Sequence, residues 1–428
     1  MSDGTGVANR LVPLLERVLG GPLPVRLRGW DGSEAGPEGA PLVFVHSRRA
    51  IRRLLWQPNE LGLGRAYVAG ELDVDDDLYQ VLRTVTPVMQ GNPARRQLSS
   101  EDRREMMKTA VLLGAVGPQP KPPAEEVVLT GEKHSKERDR AAISHHYDVG
   151  NRFYELVLGP SMVYSCAYWA SDDPRYTLEE AQRDKLELIC RKLGLRPGMR
   201  LLDVGCGWGS LVLHAARHHG VTAVGVTLSE EQAEYARKRV AEAGLEKQVE
   251  IRLQDYRDVA DGPYDAIASV GMAEHVGAEV YGTYARQLSG LLRPGGRLLN
   301  HQITRRGPER TGPSFIQAYV FPDGDLLPLA TIVEQLEEAG LEVRDVESLR
   351  EHYSRTLRAW VNNLEKHWDQ CVELTSPGRA RVWRLFMASS AVSFELGRIS
   401  VHQVLAVKPH PNGRSEMPAT RGAFTSVD

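Results

Sequence analysis

This chain of 428 residues is short of nearly everything that marks a secreted, membrane-spanning or nucleic-acid-binding protein. It has four cysteines, Cys166, Cys190, Cys206 and Cys371. They are too few and too scattered for a disulfide framework and lack metal-site spacing, so no metal is expected. The net charge is only −3, which gives no global attraction to nucleic acid. No apolar run approaches the roughly 18–20 residues needed to span a bilayer, and the start of the chain lacks the basic-then-apolar pattern of a secretion signal. We therefore expect a cytoplasmic protein that touches a membrane, if at all, from the inner side. Dinucleotide and triphosphate loops are missing too: there is no G-x-G-x-x-G, and no Lys-Ser/Thr follows the glycine-rich turn.

What is present is an ordinary globular composition, 42% hydrophobic and 25% charged, in a chain long enough for two or three domains. The clearest break is "GAVGPQPKPPAEE", Gly114 to Glu126, where proline favours extended geometry over helix. Expected divisions are a small α+β domain over 1–113, a linker over 114–140, a catalytic domain over 141–408 and a disordered tail over 409–428. In the first, "VRLRGW" and "PLVFVHS" read as strands, "RRAIRRLLW" and "DLYQVLRTVTPVM" as helices. Arg48, Arg49, Arg52 and Arg53 make a basic helix face: either a solvated surface or a contact for an anionic one.

Beyond the linker, strands and helices alternate. "RLLDVG", "TAVGVTL", "VEIRLQDY", "YDAIASVG" and "RLLNHQI" are strands separated by helical stretches, several closed by glycine. This argues for a mostly parallel sheet covered by helices on both faces. Such sheets bind ligand beyond the carboxyl ends of their strands. A long helical insertion, from about Tyr353 to Phe394, precedes the last strand, "SVHQVLAVKP". In "LLDVGCGWGSL", Gly205, Gly207 and Gly209 let the backbone approach a ligand closely. Asp203 before them suits an ammonium group better than a phosphate. Together these favour S-adenosylmethionine.

Several stretches then occur in order: "HHYDVGNRFYELVLGPSMVYSCAYW", "LLDVGCGWGSL", "GVTLSEEQ", "SVGMAEHVG", "NHQI" and "HYSRTLRAW". In these the chain resembles the cyclopropane-fatty-acyl-phospholipid synthase family, which includes mycolic acid cyclopropane and methyl-branch methyltransferases. The resemblance runs from about His145 to Val407, with a looser match at "LGLGRAYVAGELDVDD". It implies a class I S-adenosylmethionine methyltransferase fold, Rossmann-like with a helical insertion. It also implies C-methylation of a double bond in the acyl chain of an unsaturated phospholipid, with bound bicarbonate as base. The matching base-site positions are Cys166, Glu274, His301, the backbone of Ile303, and Tyr353. Cofactor contacts map to Tyr164, Ser165, Gly205, Cys206, Gly207, Thr227, Leu228, Gln232, Asp255 and Tyr256, with a lid role for Tyr147 and Asp148. A homodimer, peripheral membrane contact and a partner reductase are implied as well. Ser390 stands where members commonly carry a cysteine, so no thiol is expected there. The ending "SFELGRISVHQVL" is more similar to the branch that makes 10-methylene acyl chains; a cyclopropane product is the alternative.

The chemistry fits these residue types. An alkene has no proton to lose first, so the site must align it with the sulfonium methyl and keep water out. Tyr168, Trp169, Tyr319, Phe321 and Trp360 are candidates to face the resulting cation. Glu274 can accept from a bicarbonate hydroxyl, while His301, Tyr353 and the Ile303 amide can donate. His275 is assigned to packing or to the support of neighbouring site residues. Two other readings are a small-molecule N- or O-methyltransferase, which needs no anion cradle, and a non-enzymatic lipid-binding protein, which needs no intact glycine loop.

Overall fold

The computed structural model describes residues 6–75, 77–90, 99–127, 136, 138, 149–307 and 314–425. His145, His146, Tyr147 and Asp148 lie outside the described residues. The chain forms two compact units: Met1–Val128 with Gly312–Val320 and Thr375–Val392, and Leu129–Thr311 with Phe321–Leu374 and Ser393–Asp428. Residues 353–374 and 393–394 of the expected insertion thus group with the second unit, and residues 375–392 with the first.

The first unit holds a four-stranded sheet of β1 (Arg26–Gly29), β2 (Glu34–Ala35), β3 (Leu42–Val45) and β4 (Leu72–Val74), in the order β2-β1-β3-β4. Beside the two helices legible in the sequence, α2 (Arg48–Trp56) and α4 (Leu78–Gln90), it carries α1 (Val7–Leu19), α3 (Glu60–Val68) and α5 (Ser100–Leu112). The basic face of α2 is not a free surface. Arg53 is 5% exposed and makes paired bonds to Glu71 at 2.8 and 3.2 Å. Arg53 also donates to the Lys121 carbonyl, Arg52 to that of Ala115 and Trp56 to that of Gly117. The proline-rich stretch leaves its carbonyls without helical partners, and α2 supplies the donors. Arg48 and Arg49 remain exposed, Arg49 while also pairing with Glu71 at 3.3 Å.

The second unit is built on seven strands: β5 (Arg200–Val204), β6 (Thr222–Thr227), β7 (Val249–Leu253), β8 (Tyr264–Val270), β9 (Leu292–Arg305), β10 (Glu342–Ser348) and β11 (Ile399–Val407). Their order is β10-β11-β9-β8-β5-β6-β7. Neighbours from β9 to β7 pair parallel, while β11 pairs antiparallel with both β9 and β10. This is the expected class I methyltransferase fold. Alternating residues feed two cores: Leu201, Ala223 and Leu299 on one face, Leu202, Val224 and Leu298 on the other. That is the pattern of strands buried on both sides. After α6 (Asn151–Leu158), two helices lie on the first face: α7 (Leu178–Leu193), started by a Thr177–Glu180 capping box and stopped by left-handed Gly194, and α8 (Ser210–His219), bounded by left-handed Gly209 and Gly220.

The strand order reverses between β5 and β8, which places a ligand crevice at their carboxyl ends. The C-terminal stretch, expected to be disordered, takes a defined path through residue 425. Glu416 bonds His410 at 2.9 Å, Arg421 pairs with Asp345 at 3.0 Å, and Phe424 is buried. Ion pairs and one apolar anchor outweigh the polar composition that suggested disorder. Among the described residues, no helix is long and apolar enough to cross a membrane.

Candidate active site

The glycine loop is shaped by its hydrogen bonds. The amides of Gly205 and Cys206 both donate to the Val226 carbonyl at 3.0 Å, folding the loop over the end of β6. A cleft opens there, and every residue expected to contact the cofactor lines it: Tyr164, Ser165, Asp203, Gly205, Cys206, Gly207, Thr227, Leu228, Gln232, Asp255 and Tyr256. Thr227 donates to Gln232 at 2.8 Å, fixing two of these together. Arg257 grips Asp255 through two bonds of 2.8 and 2.6 Å. Burial pushes the Asp255 carboxyl up, but these bonds outweigh it and hold it below its ordinary range.

Lys185, on α7, also lines the cleft and was not anticipated. Its side chain is almost fully buried, and Nζ donates to Ser165 Oγ at 2.8 Å. Burial lowers its pKa to about 8, with Cys166 and Asp203 opposing. Burial likewise raises Asp203 to about 7, with the Lys185 charge opposing. The Lys185 charge thus acts on Asp203 from within the protein. In sequence Lys185 looks like any charged residue on an amphipathic helix, so nothing marked it.

The loop after β8 divides its two polar residues. His275 lines the cleft, with its ring 5.6 Å from that of Phe321. Burial lowers its pKa to about 4. Glu274 turns away from the cleft toward β9, where its Oε1 accepts from the Ile303 amide at 2.7 Å. That amide, expected to donate to a bound anion, is spent on Glu274. Burial raises the Glu274 carboxyl to about 7. Its Oε2 is buried with no partner among the described residues, as is Nε2 of His301, two residues before Ile303 on the same strand.

The His301 ring has a definite tautomer. Lys192 Nζ donates to Gln403 Oε1 at 2.8 Å, and an ammonium has only protons to offer, so the Gln403 amide nitrogen faces the other way. That nitrogen lies 3.3 Å from His301 Nδ1, which must accept. The ring proton is then on Nε2, the unpartnered atom. Burial drives the His301 pKa well down, so the ring is neutral.

Cys166 and Tyr353 converge on one carbonyl. Cys166 Sγ lies 3.6 Å from Leu349 O, and the Tyr353 amide donates to the same oxygen at 3.0 Å. The Leu349 amide in turn donates to Val401, which pairs in register with Ile303. One strand residue thus joins the Cys166–Tyr353 pair to the Glu274–His301 pair. Burial raises the Cys166 thiol far above its usual range, so it is no nucleophile. Of the aromatic candidates, Trp360 is fully buried with its ring 5.4 Å from Tyr164, in the cleft, and 6.1 Å from Tyr353. Tyr168 stacks on His352, Trp169 bonds Thr356, and Tyr319 stacks on Phe315 within the first unit.

Comparison with known proteins points to one family. Residues 134–404 match the family described as mycolic acid cyclopropane synthetase. The chain is 42% identical to a protein of Mycobacterium tuberculosis named as a probable fatty acid methyltransferase, across 92% of this chain and 93% of that one. It is 34% identical to the tuberculostearic acid methyltransferase of the same organism, across 95% and 92% of the two chains. Among solved structures, mycolic acid cyclopropane synthase CmaA1 complexed with SAH and CTAB superimposes with a TM-score of 0.59 at 35% identity, covering 62% of this chain and 97% of that one.

Proposed function

The chain belongs to the mycolic acid cyclopropane synthetase family of S-adenosylmethionine-dependent fatty acid methyltransferases, and from that premise we propose that it methylates the double bond of an unsaturated acyl chain esterified in a phospholipid. The observation that carries this reading is the pair of buried atoms without partners among the described residues, Glu274 Oε2 and His301 Nε2. One is an acceptor and the other, by its tautomer, a donor. A hydrogencarbonate ion offers one hydroxyl and two acceptor oxygens, and so fits both.

S-adenosylmethionine, held by the cleft residues of the glycine loop, Thr227, Gln232 and Asp255, supplies an electrophilic methyl group. Glu274 Oε2 and His301 Nε2 would hold bicarbonate, and the bound ion would supply a base there. The chain's own residues do the rest. Trp360, whose ring packs against those of Tyr164 and Tyr353, would be the aromatic group suited to a cationic carbon. The apolar surroundings keep water from trapping that carbon as an alcohol. Glu274 and His301 orient the anion, and Gln403 keeps the His301 proton on Nε2.

Two products are open to the same cation. Loss of a proton from the new methyl group with ring closure gives a cyclopropane. A hydride shift followed by the same loss gives an exocyclic methylene. The sequence ending and the near-full-length alignment with a tuberculostearic acid methyltransferase favour the methylene branch. Catalytic hydrogenation of the product lipid separates them: a methylene-branched chain takes up hydrogen under conditions mild enough to leave a ring intact. A product that resists would assign the cyclopropane. Carbonate-depleted buffer is expected to slow turnover, with recovery on adding bicarbonate; unchanged rates would remove the anion from the scheme.

Gln403→Leu tests the positioning of His301. Leucine cannot donate to Nδ1, so the ring becomes free to exchange tautomers. Turnover is expected to fall about 10-fold, as for loss of a group that orients a liganding histidine, with KM little changed. Imidazole 15N shifts should show the Nε2–H form in the wild type and a mixture in the variant. An unmixed spectrum in Gln403→Leu would contradict this role. Tyr353→Phe removes one hydroxyl donor and is expected to cost a further 10-fold or so in kcat, on the scale of one hydrogen bond to a charged group. Full activity would exclude Tyr353 from the anion site.

A further inference from the structure

Two helices beside the cofactor cleft carry a second group of coordinating side chains that the methylation scheme does not use. Cys190 lies on α7, and His214 and His219 lie on α8. Their ligand atoms stand within 4.8 Å of one another. One turn before Cys190, Glu187 joins them: its Oε2 is 3.0 Å from His214 Nε2 and 3.1 Å from His219 Nε2. Its other oxygen is held by Arg191 at 2.8 Å. We infer that Cys190, His214, His219 and Glu187 form a binding site for a zinc-class divalent cation that ties α7 to α8.

The donor set points to this class of ion. One thiolate sulfur, two imidazole nitrogens and one carboxylate oxygen make a four-coordinate shell of the kind zinc accepts. The ligand charge is −2 when the thiol has ionised, which neutralises a divalent ion in a region that is largely buried. Cys190 is fully buried, while the His214 and His219 side chains are only 10% and 17% exposed. Donors about 2.0–2.3 Å from a tetrahedral metal stand roughly 3.3–3.8 Å apart, so the cluster needs to close by only about an ångström. Glu187 is poised for the role. Arg191 then fixes the carboxylate as an outer-shell partner.

Binding is balanced in protons. The Cys190 S–H bond breaks, a sulfur–metal bond forms, and one proton leaves to solvent. Each imidazole stays neutral, with its proton on the nitrogen that does not ligate. The ion would not touch the chemistry. It would instead fix two helices whose other residues, Lys185 on α7 and Ser210 and Leu211 on α8, line the cleft. Chain spacing hid the cluster because its members come from two helices, with i,i+3 spacing on one and i,i+5 on the other.

The test uses the full chain, stripped with chelator and titrated with Co2+ as the probe. One equivalent should give tetrahedral ligand-field bands in the visible and a sulfur-to-cobalt charge-transfer band in the near ultraviolet, both bleached by Zn2+. Cys190→Ser should lose the charge-transfer band, and His219→Ala the tetrahedral intensity. His218→Ala, whose ring only packs 4.6 Å from that of His214, should keep both. No charge-transfer band in the wild type, or one that survives Cys190→Ser, overturns the proposal. Should Cys190→Ser fail to fold, thermal unfolding decides: Zn2+ should raise the Tm of the wild type but not of His219→Ala. Equal shifts in the two would refute the site.

Discussion

Glu274→Gln is expected to lower turnover about 10²–10⁴-fold, the range for loss of general-base function, while S-adenosylhomocysteine binding stays within a few-fold of wild type. The separation follows from where the side chain points. Glu274 does not line the cofactor cleft; it faces β9, bonded to the Ile303 amide at 2.7 Å with Oε2 unpartnered. Glutamine keeps the shape and the Ile303 bond but replaces the free acceptor with a donor, which cannot receive a hydroxyl proton. The same variant should alter stability in the opposite sense. The Glu274 carboxyl titrates near pH 7 in the folded protein against 4.5 as its ordinary value. A folded pKa above the unfolded one means that the wild type loses stability as pH rises from about 4.5 to about 7. Glutamine does not titrate. Relative to wild type, Glu274→Gln should therefore gain stability across that window, by at most about 3 kcal/mol, and level off above it. Near-normal activity, or a stability difference flat from pH 4.5 to 8, would contradict the placement of this carboxylate.

Gly205→Val should weaken S-adenosylhomocysteine binding on the order of 10²-fold, about 2.7 kcal/mol. Gly205 has φ +81°, a conformation that β-branched residues enter only at a cost of roughly 1–3 kcal/mol. An added Cβ would also sit 2.9 Å from Cβ and Cγ of Met272. Met272 lies in the loop that carries Glu274 and His275, so the strain is passed from the glycine turn to both halves of the site. Gly207→Ala is the comparison: its φ is +54°, but nothing lies within 4 Å of the added atom, so the loss should be smaller. Calorimetric titration measures both. Unchanged affinity in Gly205→Val would mean that the loop is not the cofactor platform.

Local pattern revealed those parts of the molecule whose reasons are local. Short apolar runs ending in glycine reported the strands, and their alternation with helices reported a parallel sheet, because each strand buried on both faces must be almost wholly apolar. The turn "GCGWG" was legible for the same reason: tight backbone needs glycine wherever it occurs. What escaped depends on residues far apart in the chain. Lys185 reads as surface charge until β5 brings Asp203 beside it. Gln403 reads as an outward residue of a strand until Lys192, 211 positions away, fixes its orientation toward His301. Arg52 and Arg53 read as a basic face until the proline-rich stretch folds back to present its carbonyls. The C-terminal stretch read as disordered because its composition is polar, whereas Arg293 and Asp345 supply partners that no composition can show. Resemblance located Glu274, His301 and Tyr353 at once. It did not show that the Ile303 amide is occupied, which is a matter of side-chain direction.

The central claim concerns which atom receives the methyl group and which proton is then lost. It is tested most directly by supplying S-adenosylmethionine with a trideuterated methyl group to the purified protein and oleoyl phospholipid vesicles, then weighing the acyl chains and head groups separately. Transfer to an alkene carbon followed by deprotonation of the new group leaves two deuterium atoms in the acyl chain, whether the product is a ring or a methylene. Three deuterium atoms retained on a head group or on a nitrogen or oxygen acceptor, with unaltered acyl chains, would contradict the account.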